Sequence, residues 1–151
     1  AAHLSFISQS EAGDNRLSKK PARTSSTTQD GLTIGFDYFV YPTNSSDITI
    51  IRNEELILIY AVAKIQLGVL LNLIDAVTAL NNVRVPAGVG IYGGLVTQAE
   101  LTNEMLKKKR YSLYGEGMRR IDLRRYSLLN TLPIDRTCKD VWLEFTRPVN
   151  E

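Results

Sequence analysis

The run NEELILIYAVAKIQLG, residues 53–68, limits the fold more than any other stretch of the chain. Leu56, Ile59, Tyr60, Ala63 and Leu67 fall on one face at helical spacing, and Ile57, Leu58, Val62 and Ile65 make the opposite face apolar too. A helix that is greasy on most sides has to lie between neighbours, so a helical core is expected around it. Asn53 is the expected N-cap, Glu54 and Glu55 suit the positive end of the dipole, and Gly68 suits the end of the last turn. The uninterrupted apolar part, residues 56–63, is far short of the roughly 20 residues that cross a bilayer.

Three further helices follow from the same periodicity. One runs over 72–84, with Leu73, Ile74, Val77, Leu80 and Val83 apolar, and stops at VPAG. The next, 98–114, opens on the capping-box spacing of Thr97 and Glu100. After the break Gly115-Glu116-Gly117, a fourth covers 117–129. Short connections favour antiparallel neighbours, so two stacked helix pairs are expected, with Leu56, Ile59, Tyr60, Leu73, Val77, Leu101 and Met105 inside. Residues 13–35, rich in Gly, Ser, Thr and Asp, read as loop, while FDYFVY (36–41) and ITII (48–51) read as short strands. The fold class is mainly α: residues 1–51 loops and short strands, 52–130 helix pairs, 131–151 an irregular tail.

The charge is uneven. Residues 107–125 hold eight basic side chains and two acidic ones, a local net charge of +6 that leaves −4 elsewhere. Two accounts compete: a nucleic-acid or protein-interaction surface, or clamping within the scaffold. Glu116 stands three and four residues before Arg119 and Arg120, and Asp122 three residues from Arg119 and Arg125, the spacings at which helical side chains meet. Acids set among the arginines favour internal clamping, with Asp122 accepting from at least one arginine. KKKR (107–110) reads as a solvated face near a helix C-terminus.

Little in the chain suits catalysis. His3 is the only histidine, Cys138 the only cysteine, and Glu54 and Glu55 are explained by a helix start. GVGIYGG (88–94) lacks the GK[ST] of a phosphate loop. No catalytic, cofactor or metal-binding set is expected. Tyr38, Tyr41, Tyr92 and Trp142 are the aromatic side chains that have the chemistry to stack on a sugar ring.

Several segments taken together resemble the carboxy-terminal part of the SusD/RagB family: IIRNEELILIYAVAKIQLG (50–68), ALNNVR (79–84) and KKRYSLYGEGMRRIDLRRYSLLNTLP (108–133). AGDNR (12–16) and FTRPVNE (145–151) fit as well, so the resemblance covers essentially the whole chain. Arg52 and Glu55 in the first string, and Gly115, Glu116, Asp122 and Arg124 in the third, are its structural motif positions. Val62, Met118 and Arg120 depart from the family pattern, all at scaffold positions. The resemblance implies tetratricopeptide-like helix pairs in an α-α superhelix, and capture of oligosaccharides without catalysis or cofactor. It further implies delivery to a SusC-like TonB-dependent transporter, and an outer-membrane, cell-surface location through a lipidated amino-terminal cysteine outside this sequence. No nucleic-acid partner is implied. The family's sugar platform draws largely on parts preceding this segment, so the four aromatics stay weak candidates. The exposed side of the 54–67 helix is accordingly expected to pair with an absent helix or a second copy.

Overall fold

Four helices carry the core: α2 (Asn53–Leu67), α3 (Leu70–Arg84), α4 (Gln98–Ser112) and α5 (Met118–Arg125), preceded by a five-residue α1 (Leu4–Ser8). The computed structural model describes residues 4–29, 31–134, 141 and 142. The fold is mainly α, and its helices pair as the resemblance implies. Gly68, in the left-handed region at φ 69°, ends α2 and lets α3 fold back along it. α4 then packs across both helices, and α5 returns against α4.

Sequence and structure agree closely on helix positions and disagree on one face. Leu58, Ala61 and Ile65 form the buried stripe of α2, against Leu73, Ala76, Ala79, Leu80 and Val83 of α3 and Leu101, Met105 and Leu106 of α4. Leu73, Leu101 and Met105 are interior as expected, and Val77 is partly buried. Leu56, Ile59 and Tyr60, expected inside, are exposed by 53, 52 and 49%. Periodicity does not select a face on a helix that is apolar all round. The small side chains Ala61, Ala76 and Ala79 select it, because they let α2 and α3 come close.

The caps differ in instructive ways. Thr97 accepts from the Glu100 amide at 3.3 Å, as the capping spacing requires. Arg52, not Asn53, is the N-cap of α2, and its side chain makes no capping bond. The last helix stops at Arg125, four residues early, because Ser127 takes a left-handed φ of 57°. The Leu128 amide then reaches the Leu123 carbonyl at 2.7 Å and the Ser127 amide that of Arg124 at 3.2 Å, the paired bonds of a Schellman ending.

The amino-terminal part is more ordered than its composition suggests. Asp14 caps a 3-10 turn (Asn15–Lys19), and β1 (Ala22–Gln29) pairs antiparallel with β2 (Leu32–Phe36). The register Thr28↔Thr33 and Gln29↔Leu32 makes the two strands a hairpin that turns between Gln29 and Leu32. Of the two expected strands, 36–41 keeps only Phe36 in β2, and 48–51 has no strand. The stretch read as loop is therefore the real hairpin. The amino-terminal part is joined to the α3–α4 loop where Asn15 donates to the Ala87 carbonyl at 3.0 Å and to that of Pro86 at 2.9 Å.

Candidate functional site

The basic region folds into two kinds of environment. Lys108, expected on a solvated face, is fully buried, and Lys109 nearly so. Glu11 gathers the first group: it pairs with Arg84 at 2.8 Å, Lys107 at 3.0 Å and Lys108 at 2.5 Å. Glu104 adds a second carboxylate, pairing with Arg84 and, at 3.2 Å, with Lys108. Burial alone would raise the Glu11 pKa; the hydrogen bonds from Lys108, Lys107 and Arg84 outweigh it and bring it down to about 2. Nearby, Arg16 grips Asp14 through two nitrogens, at 2.8 and 2.7 Å, and reaches Ser112 Oγ at 3.0 Å. These cations clamp the scaffold.

Three of the motif residues, Arg52, Glu116 and Asp122, are clamped too, but by other partners than the sequence spacing indicates. Asp122 accepts from Lys109 at 2.6 Å; no arginine donates to it among the described residues. Glu116 precedes α5, so it cannot meet Arg119 and Arg120 along a helix; instead it lies 2.9 Å from Arg52. That pair joins the RNEEL string to the YGEG string, although it lacks hydrogen-bond alignment and leaves Arg52 Nε without a partner among the described residues. Gly115, at φ 86°, sits under the Tyr38 phenol, where a Cβ would collide with the ring. Glu55 is half-buried on α2 and Arg124 is exposed on α5.

The second environment is a cavity of about 650 Å³ at the joined ends of α1, α4 and α5. Phe6, Leu113, Tyr114, Leu132 and Pro133 supply its apolar lining. Its charged lining is Lys109, Arg110, Arg119, Arg120 and Asp122. Arg110 donates to Gln9 and, at 2.9 Å, to Ser5 Oγ. Behind the wall, Tyr111 donates to the Phe6 carbonyl at 3.0 Å, and the Phe6 and Tyr114 rings lie 4.6 Å apart. Buried Lys20 points its ammonium at both rings, 3.1 and 3.0 Å from their centroids, with no hydrogen-bond partner among the described residues. Burial, reinforced by the Arg110 charge, brings its pKa down to about 7.

The four aromatic candidates do not form one platform. Tyr38 stacks at a tilt on Tyr114, 5.6 Å between centroids, and is exposed beside Tyr41. Burial raises the Tyr38 pKa, with Tyr41 and Glu116 adding to the effect. Tyr92 belongs to the α3–α4 loop: its amide donates to Asn81 at 2.7 Å, its hydroxyl to the Leu95 carbonyl at 3.1 Å, and its ring packs on the core. Trp142 is exposed, its carbonyl accepting from Arg120. Lys20, Glu11 and the cavity escaped the sequence reading, since each depends on contacts between distant segments. Among the described residues no three His, Cys, Asp or Glu side chains converge on a metal-sized site, and no helix is long and apolar enough to cross a membrane. Cys138 lies outside the described residues.

Arg52 and Glu116 bring the two resemblance strings together, and the sequence profile of the SusD family matches residues 39–149, most of the chain. The chain belongs to the SusD family. The SusD match takes in α2 to α5 and the cavity residues from Lys109 onward, while α1 and the AGDNR segment lie before it. Neither a curated protein nor a solved structure matches the chain. SusD proteins are generally outer-membrane lipoproteins that bind nutrients and glycans for uptake, and they are a binding family without catalysis.

Proposed function

We propose that this chain is the scaffold-bearing part of a larger SusD-like domain that captures an oligosaccharide or related nutrient at the cell surface and delivers it to a SusC-like TonB-dependent transporter. In this reading the protein is held at the outer membrane by a lipidated cysteine outside this sequence. It performs no chemistry on its ligand. The observation that carries the reading is the family match over residues 39–149. The interior supports it: the cations of 107–109 are matched by Glu11, Glu104 and Asp122, which speaks for scaffold over a nucleic-acid surface. Tyr38, Tyr41 and Trp142 are exposed and free to meet a sugar ring, and Tyr92 is the least free of the four.

A calorimetric screen of neutral and acidic oligosaccharides tests the reading. Saturable binding that leaves the sugar intact is expected of the longer protein, and any binding by this chain alone should weaken in Tyr38→Ala. Hydrolysis of any glycan, or no binding by the longer protein, would overturn it.

A further inference from the structure

Charge matching sets the cavity apart from the clamps of the scaffold. Arg16, Arg52, Arg84, Lys107 and Lys108 each face a carboxylate. Around the cavity four cations meet one carboxylate, Asp122, and Lys109 already holds it at 2.6 Å. The three guanidinium groups left have neutral partners or none among the described residues. Arg110 donates to Gln9 and Ser5, Arg120 to the Trp142 carbonyl, and Arg119 makes no ion pair. Burial and the neighbouring charge of Arg110 push the Arg119 pKa down and outweigh the opposite pull of Asp122 and Tyr111, the direction expected when like charges are crowded out of water. An anion seated among them relieves that repulsion.

We propose that the cavity between α1, α4 and α5 is an anion subsite that takes the carboxylate or sulfate of an acidic sugar, with Arg119 as its central ligand and Arg110 and Arg120 flanking it. Guanidinium forks match the geometry of carboxylate and sulfate oxygens and form stronger hydrogen bonds to them than to neutral groups. A volume of about 650 Å³ is within the range of small-molecule sites. Leu113, Leu132, Pro133 and the Tyr114 ring offer the apolar wall that a pyranose face packs on. The inference rests on the oligosaccharide reading above and narrows it to acidic glycans. A nucleic-acid backbone suits the site less well, because it needs an open basic track and Lys107 and Lys108 are already engaged by Glu11.

Calorimetry on the whole chain decides it, with tetragalacturonate, a sulfated disaccharide, a neutral tetrasaccharide and a short DNA duplex as probes at low and high salt. The acidic sugars should bind and weaken with salt, and inorganic sulfate should compete with them. Arg119→Gln should reduce their affinity at least about tenfold, and Arg119→Lys should recover part of it. Thermal melts check that each variant folds; if Arg119→Gln does not, Arg120→Gln at an exposed position carries the same comparison. Equal binding of the neutral sugar, unchanged in Arg119→Gln, overturns the acidic subsite and leaves oligosaccharide capture standing. Tighter binding of the duplex with the same Arg119 dependence overturns it in favour of nucleic acid. Failure of both acidic sugars to bind overturns the acidic subsite and leaves oligosaccharide capture by the larger domain standing.

Discussion

Lys20 and Lys109 are both buried amines on aromatic or acidic walls, and the difference between them is one carboxylate. Lys109 is compensated by Asp122, so Asp122→Ala strands an ammonium and should cost roughly 3–5 kcal/mol. Arg120→Ala, at an exposed position, should change stability by less than about 1 kcal/mol. Equal and negligible shifts of the two variants in thermal melts would show Asp122 to be dispensable. Among the described residues Lys20 has only the faces of Phe6 and Tyr114, and burial together with the Arg110 charge brings its pKa down to about 7. Because the folded pKa lies below the ordinary 10.5, the folded state binds fewer protons than the unfolded one between those values. Stability should therefore rise as the pH goes from 7 to 9. Lys20→Met should remove that rise and lift the midpoint at pH 7 by at least about 2–4 °C, the equivalent of ~1 kcal/mol or more in a domain of this size. A wild type flat over that range would refute the argument. Neither lysine's setting was legible in the sequence. KKKR near a helix end reads as solvated, and only the fold reveals that Glu11, 97 positions away, takes Lys108.

Glu11 acts between elements: it ties the segment after α1 to Arg84 of α3 and to Lys107 and Lys108 of α4. Its folded pKa of about 2 lies below the ordinary 4.5, so its contribution is fully present above pH 4.5 and is lost as the pH falls toward 2. The shift corresponds to on the order of 3 kcal/mol. Acid titrations followed by circular dichroism should show this loss in the wild type and a flatter acid limb in Glu11→Gln, which is weaker at neutral pH. Parallel acid limbs would mean that other carboxylates dominate. At this scale the sequence served well where one element carries its own signal. Thr97 marks the start of α4 and Gly68 the end of α2, through local chemistry alone. It served less well where the signal is ambiguous. The Thr- and Ser-rich stretch reads as loop by its turn formers, but β-branched threonines also suit an exposed strand, and a paired hairpin resulted. The early stop of α5 was hidden because Ser127 occupies the left-handed position usually given to glycine.

For the whole molecule, what the four helices leave uncovered matters as much as what they bury. Leu56, Ile59, Tyr60, Leu67, Val69, Leu70, Leu71 and Ile74 are exposed by 49–74% along α2, α3 and the turn joining them. Leu56, Ile57 and Tyr60 also line a groove that runs to Ala79 and Asn82 of α3. Isolated surface leucines are ordinary, whereas so many on one helix pair form the kind of patch that drives association. The same all-round apolarity that made 53–68 the strongest sequence signal thus leaves one side of α2 unsatisfied once α3 and α4 have taken the other. The membership in the SusD family was legible because the strings that carry it lie within the matched residues 39–149. The cavity was not, because Phe6 and Gln9 reach Arg119 only through the folding of α1 onto α4 and α5. The exposed stripe predicts that the isolated chain self-associates. Light scattering at rising concentration should give an apparent mass that climbs above the monomer value. Leu70→Lys with Leu71→Lys should shift it toward monomer without lowering helicity, since both side chains are outside the core. Tyr60→Lys should act in the same direction if the groove takes part. A wild-type chain that stays monomeric across the range would show that this surface is tolerated in water, and the uncovered face would then carry no argument for a partner.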